Sequence, residues 1–354
     1  PHPALSRRAL LAGTAAGAVG LSLAACGKGK KAGSQADSKT VTVVTHDSFH
    51  VSEDLQKAFT SETGYTLKVA TSGDAGALVN KLVLTKDAPL GDAVFGIDNT
   101  YATRALDQGV IDTSATVTLP KGAESYVVAD TPALAPIDVG DVCLNIDTGY
   151  FTGKGLTPPA TFEDLTKPEY KGLLVAINPT NSSPGMAWLL ATIGHFGAGS
   201  FAGYWKQLMA NGARIAEDWS AAYETDFSGS GKGTYPIVVS YASSPSFTVS
   251  KDKSSSSTSA LLDTAFRQVE YAGVLKGAAN PEGGKAFVTW MLSKAVQEDI
   301  PGQMYMYPVL PDAALPEALT KFGPLSKSPV KVEPKEITTH REEWLNTWTE
   351  AVGK

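Results

Sequence analysis

Thr40-Val41-Thr42-Val43-Val44-Thr45-His46-Asp47-Ser48-Phe49 is a β-branched run that breaks into polar residues, and the same theme recurs twice before residue 100. Ser52-Glu53-Asp54 supplies a helix start, Leu55, Ala58 and Phe59 fall on one face, and Gly64 stops the helix. Tyr65 to Ala70 predicts the next strand. Thr71-Ser72-Gly73-Asp74-Ala75-Gly76 then turns into a helix carrying Leu78, Val79 and Leu82. Ala93 to Ile97 predicts a third strand, ending at Asp98-Asn99 before a helix that closes at Gly109. Strand, helix, strand, helix is the pattern of an open, largely parallel α/β sheet. Ligands of such sheets sit at the carboxyl ends of the strands. Asp47, the Ser72 to Gly76 loop and Asp98 all fall there, and each acid serves equally well as a helix cap.

Outward from this run, Pro136 to Ile146 is a long strand-like segment that reads as a crossing between lobes. A second α/β pattern follows, with a helix near Phe162 to Leu165, a strand Leu173 to Ile177, helices from Pro184 and Phe201, and a strand Ala213 to Ala216. Lys251 to Ser259 is polar and of low complexity, hence a surface loop. Arg267 to Leu275 is the natural return crossing. A helix with Phe287, Trp290 and Met291, a turn at Gln303 to Pro308 and a last helix from Glu336 complete the chain.

The candidate site lies between Asp218 and Pro245. Asp218-Trp219-Ser220-Ala221-Ala222-Tyr223 opens a helix, and Ser240-Tyr241-Ala242-Ser243-Ser244-Pro245 ends the strand from Pro236. Trp219, Tyr223, Tyr241 and the later Tyr305 set flat π faces beside Asp and Ser, a combination that suits a flat cation. Tyr223, one helical turn beyond Trp219, also fits a core position. Asn181-Ser182-Ser183-Pro184-Gly185 and the Gly73-Asp74 loop are helix starts, whose free N–H groups favour anions. Catalytic and metal signals are poor. His46 and His50 straddle a strand end, and Gly229-Ser230-Gly231-Lys232-Gly233-Thr234 lacks the hydroxyl residue and following helix of a phosphate loop. No cofactor and no metal is expected.

Ser6-Arg7-Arg8-Ala9-Leu10-Leu11 begins an apolar run ending in Leu23-Ala24-Ala25-Cys26. A basic start, a short apolar stretch and small residues before a cleavage point predict an export signal over residues 1–25. Leu-Ala-Ala-Cys resembles the lipobox of bacterial lipoproteins, with Cys26 lipidated. Arg7-Arg8 resembles a twin-arginine signal, and a general secretory signal is the alternative. Residues 26–39 read as a flexible tether. Cys143, the other cysteine, falls in an apolar run and reads as a buried thiol. Loss of Arg7 and Arg8 with the signal moves the formal charge from -6 to -8, which gives no electrostatic reason to bind nucleic acid or anionic headgroups.

Six pieces in order resemble the thiamine-binding proteins of bacterial ABC importers: residues 45–49, 96–99, 182–185, 218–223, 240–245 and Met306-Tyr307-Pro308-Val309. These belong to the type II periplasmic binding proteins. The resemblance implies an α/β, two-lobed fold with a hinge and a central ligand cleft. One lobe would comprise residues 40–138 plus 268–354, the other 139–267. It implies a monomer anchored outside the cell membrane through Cys26, which delivers thiamine or its phosphate esters to a permease.

On that resemblance, Trp219, Tyr241 and Tyr305 stack on the ligand with Tyr223 beside them. Asp47 and Asp98 offset its cation, and His46 lies next to it. Gly73, Asp74, Ser182 and Ser183 meet any phosphate. His46 and Tyr305 depart from the pattern, which has Tyr and Trp there. The alternatives are an iron(III) or other small-cation binder of the same fold, though Tyr305 and Tyr307 are not adjacent, and a secreted thiamine- or phosphate-ester-processing enzyme, which a lone apolar Cys143 disfavours.

Overall fold

The alternating Val and Thr of the opening run form β1 (Thr40–Thr45), with Val41, Val43 and Val44 buried. The computed structural model describes residues 39–230 and 232–353, so the export signal, Cys26 and all but the last residue of the tether lie outside the described residues. α1 (Glu53–Thr63) ends at Gly64, whose φ of 75° is a left-handed position that glycine adopts without a Cβ clash. β2 (Thr66–Thr71), α2 (Ala75–Leu84), β3 (Ala93–Asp98) and α3 (Ala102–Asp107) complete the first alternation. β1 pairs in parallel with both β2 and β3, as helical crossovers require.

β4 (Leu134–Asp147) leaves this half of the molecule, buried along nearly all its length. α4 (Thr148–Lys154), β5 (Leu174–Ile177), α5 (Ser183–Phe196), α6 (Phe201–Ala210), β6 (Arg214–Ala216) and β7 (Ile237–Tyr241) build the second half. There β5 is parallel to both β6 and β7. β8 (Thr258–Val274) returns, antiparallel to β4 and then to β3. The strand order is β2-β1-β3-β8-β4-β7-β5-β6, so two parallel ends meet through two long antiparallel strands. This is the two-lobed α/β architecture, its lobes joined by paired crossings.

β8 and α8 (Lys294–Met304) differ from the sequence expectation. β8 begins at Thr258, nine residues before the expected return strand, because its polar Ser and Thr residues find ladder partners on β4, where Asp147 pairs with Thr258 and Leu144 with Leu261. After α7 (Pro281–Met291) comes α8, a helix absent from the sequence expectation, which takes Gln303 and Met304, the first two residues of the expected turn. Its Pro301 and Gly302 mask the pattern, yet Pro301 sits near the end of the helix, and the chain then turns through Tyr305 at φ 64°. β9 (Tyr307–Pro308) adds to β4, and α9 (Glu317–Phe322) and α10 (Pro334–Val352) finish the chain.

α10 ties distant parts together. Its Trp348 is 1% exposed and meets Trp205 of α6 edge-on at 5.6 Å, while its Arg341 guanidinium lies 3.6 Å from the centre of the Tyr101 ring, just before α3. Large aromatic cavities in a closed-packed interior are costly. Trp348→Ala is therefore expected to lower stability by about 3 to 5 kcal/mol, measured as a shift of the urea unfolding midpoint.

Candidate functional site

Strand ends converge on one cleft of about 270 Å³, lined among others by His46, Asp47, Asp74, Ser183, Trp219, Tyr241, Glu270 and Tyr305. The β1 end delivers His46 and Asp47, the start of α2 delivers Asp74, and the start of α5 delivers Ser183. β7 ends at Tyr241, β8 passes beneath with Glu270, and Tyr305 follows α8.

The aromatic wall is built from behind. Asp218 and Trp219 open a six-residue π-helical turn (Ala221–Asp226) instead of the expected α-helix, with the Asp218 carboxylate accepting from the Ala221 N–H at 2.7 Å. Trp219 stacks on Tyr223 at 5.0 Å and 12°, and Tyr223 stacks on Phe227 at 5.6 Å. Tyr223 is 6% exposed and does not line the cleft, so it supports Trp219 from the rear. The Trp219 indole N–H donates to Ser240 Oγ at 3.0 Å, which fixes the ring plane. Tyr241 and Tyr305 lie 6.5 and 6.4 Å from Trp219, both tilted by more than 50°, and Phe247 packs against Tyr305 at 3.6 Å.

Acids furnish the opposite side. Asp47 accepts from the Gly73 N–H at 3.0 Å, and Asp74 caps α2 through the Ala75 N–H at 2.7 Å. Burial pushes the Asp74 carboxyl above its usual pKa range. Asp98 does not line the cleft. It is fully buried, accepts from Thr100 and Tyr101, and takes the Ser183 hydroxyl from across the cleft. Burial pushes its pKa up to about 6, against those hydrogen bonds. Ser182 is likewise buried and caps Gly185. The two helix starts do face one another, since Tyr101 donates to Pro179 and the Ala77 N–H to the Asn181 carbonyl. The carboxyls of Asp74 and Asp98 stand at that meeting point, which suits a cation better than a phosphate.

Glu224, Glu270, Ser220, Gln303, Met304 and Met306 also line the cleft, and sequence reasoning missed them. Glu270 had a signal, an acid inside the apolar run Val269 to Val274. A charge in such a run is rarely buried without a partner. Its partner is His46, whose Nε2 lies 3.3 Å from the Glu270 carboxylate. Tyr307 turns away, donating its hydroxyl to the Leu319 and Gly323 carbonyls. No group of three or more His, Cys, Asp or Glu side chains arranged for a metal occurs among the described residues.

A family model described as a bacterial extracellular solute-binding protein matches residues 92–323, more than half of the chain. The chain belongs to that family. Among relatives of this solute-binding protein, the thiamine-binding periplasmic proteins of Salmonella typhimurium and Escherichia coli are each 27% identical over 326 residues, covering 89% of this chain and 94% of their own length. A solved structure described as a periplasmic thiamin binding protein superposes with a TM-score of 0.77 at 26% identity, covering 89% of this chain and 96% of that one. Iron-bound HitA from Pseudomonas aeruginosa, at a TM-score of 0.68 and 20% identity over 88% of this chain and 99% of its own, shares the fold.

Gly96 makes room for the site. It lies at φ 95° in a bulge where the β3–β8 register shifts, and a Cβ there would fall 2.0 Å from Cδ2 of His46. Gly96→Ala adds backbone strain and drives the imidazole from Glu270. It is expected to cost about 2 kcal/mol or more, read from urea unfolding, and an unchanged midpoint would contradict this seating of His46.

Proposed function

We propose that this solute-binding protein captures thiamine in the cleft and hands it to the permease of an ABC importer. The observation that carries the reading is the lining. Trp219, Tyr241 and Tyr305 offer aromatic faces, four carboxylates stand among them (Asp47, Asp74, Glu224 and Glu270), and no Lys or Arg is among the described lining residues. A flat ring system with a fixed positive charge satisfies both halves of that surface. The names of the relatives support the same ligand. The carboxyls at the facing helix starts favour free thiamine over its phosphate esters, with Ser183 and the Gly73-Asp74 loop meeting the uncharged hydroxyethyl end.

The hinge runs through the paired crossings, between lobes of residues 40–138 plus 268–354 and residues 139–267. In the ladder Asp138 pairs with Glu270, Val139 with Val269 and Gly140 with Gln268, so both lobe boundaries fall at one level of the paired crossings. The protein works as a monomeric carrier rather than an enzyme, held at the outer face of the membrane by lipidated Cys26. Cys143 supports the carrier reading, because it is fully buried and burial holds its thiol protonated. The ferric alternative has less support, since Tyr307 does not face the cleft.

Calorimetry of the protein, freed of bound ligand by unfolding and refolding, is expected to give saturable one-to-one thiamine binding at micromolar affinity or tighter, about -8 kcal/mol. Trp219→Ala should weaken it by about 1 to 2 kcal/mol. Absence of both heat and a tryptophan fluorescence change would remove thiamine as the ligand.

A further inference from the structure

Glu270 stands in the middle of the return crossing, 5% exposed, with its carboxylate on the cleft. Among the described residues its ion-pair partner is His46, at 3.3 Å, and the Gln268 amide donates to it at 3.4 Å. Asp138 lies directly cross-strand, with neither carboxyl oxygen hydrogen-bonded. The other charged groups around this cluster are Asp47 after β1, Asp74 at the start of α2 and Asp98 at the end of β3, with Arg341 of α10 acting on Asp98 from behind. No Lys or Arg pairs with Glu270 among the described residues, so a buried carboxylate here awaits a cation.

We propose that Glu270 is the specificity-determining carboxylate of the cleft, the counter-charge for the ligand's cation, and that a proton on His46 competes with the ligand for it. The inference rests on the thiamine reading above. The Ser48 N–H donates to Nδ1 of His46 at 3.1 Å. A ring that accepts there is neutral, with its single proton on Nε2, which lies 3.3 Å from the Glu270 carboxylate without a hydrogen bond to it. In that state the pair keeps one net negative charge, which a cationic ligand neutralises. A second proton, on Nδ1, breaks the Ser48 bond and makes an imidazolium–carboxylate pair that is already neutral.

Burial lowers the pKa of His46, but the Glu270 carboxylate, with Asp74 and Asp47 behind it, more than offsets this and raises it above the usual value. The empty cleft therefore holds a proton on His46 more tightly than an ordinary histidine does. Burial and then Glu270 push the pKa of Asp138 well up. Ligand entry expels the Nδ1 proton to solvent, Nε2 keeps its proton, and no bond to the ligand forms. Affinity is low while His46 is protonated, rises with pH through its pKa, and levels off above it.

The test is calorimetric titration with thiamine at about pH 6, 7 and 8.5, around and above the ordinary histidine value of about 6.5, for the wild type, His46→Gln and Glu270→Gln. The wild type is expected to bind at least about tenfold more tightly at the highest pH than at the lowest, with net proton release at neutral pH seen by comparing buffers of different ionisation heat. His46→Gln should flatten the profile, and Glu270→Gln should weaken binding by about tenfold at high pH. The wild-type profile needs no substitution, so it decides the matter even where a variant fails to fold. Tight binding with no pH dependence and no proton release would overturn this proposal while leaving thiamine in place. No binding of thiamine at any of the three pH values would overturn both.

Discussion

The antiparallel pairing of β4 with β8 is the constraint from which the rest of the molecule follows. Each strand belongs to both halves, and their ladder runs from Leu134 opposite Gly273 to Asp147 opposite Thr258. Parallel strands alone could not produce this, since every parallel connection must return over a helix. Two long crossings instead hold two parallel ends side by side and leave a gap over their middle. At that middle level Glu270 becomes the buried base of the cleft, with Asp138 and Gln268 buried beside it. The loops at the strand ends become its walls. Any shift of register by one residue would turn Glu270 to the other face of the sheet.

That base is polar in a place where burial makes charge expensive, which turns position into selectivity. Gln268 links Glu270 at 3.4 Å to the Tyr241 hydroxyl at 3.2 Å, so the acid and one of the aromatic faces are held by the same amide. The wall from Trp219 through Tyr223 to Phe227 is a stack whose outermost ring is exposed to the cleft. Rings fixed from behind lose little freedom when a ligand arrives, and preorganisation of this kind lowers the cost of binding. Ser183 donates to Asp98 and Tyr101 to Pro179 between opposite halves, so the two lobes are bonded to each other beside the site.

Much of this was legible in the sequence. Val41, Val43 and Val44, with Leu78, Val79 and Leu82, carry the periods of a strand and a helix, and they are buried. The resemblance brought Asp47, Trp219, Tyr241 and Tyr305 into view, and they line one cleft. Local pattern failed where long-range pairing decides. The Ser- and Thr-rich start of β8 looks like a loop until β4 lies beside it, and Pro301 hides α8. Asp98 and Tyr223 look exposed at element ends, yet they are buried under Ser183 and Trp219. Glu270 was hidden for the opposite reason. Its neighbours are apolar, and only the hinge geometry gives its carboxylate an opening.

The central claim is that one flat cation sits between the aromatic wall and the acids of the cleft. A crystal structure of the protein grown with thiamine tests it most directly. The account predicts a ligand enclosed by Trp219, Tyr241 and Tyr305, with its positive ring beside the Glu270 carboxylate. A ligand bound elsewhere, or held in this cleft with its cation turned away from every carboxylate, would contradict it.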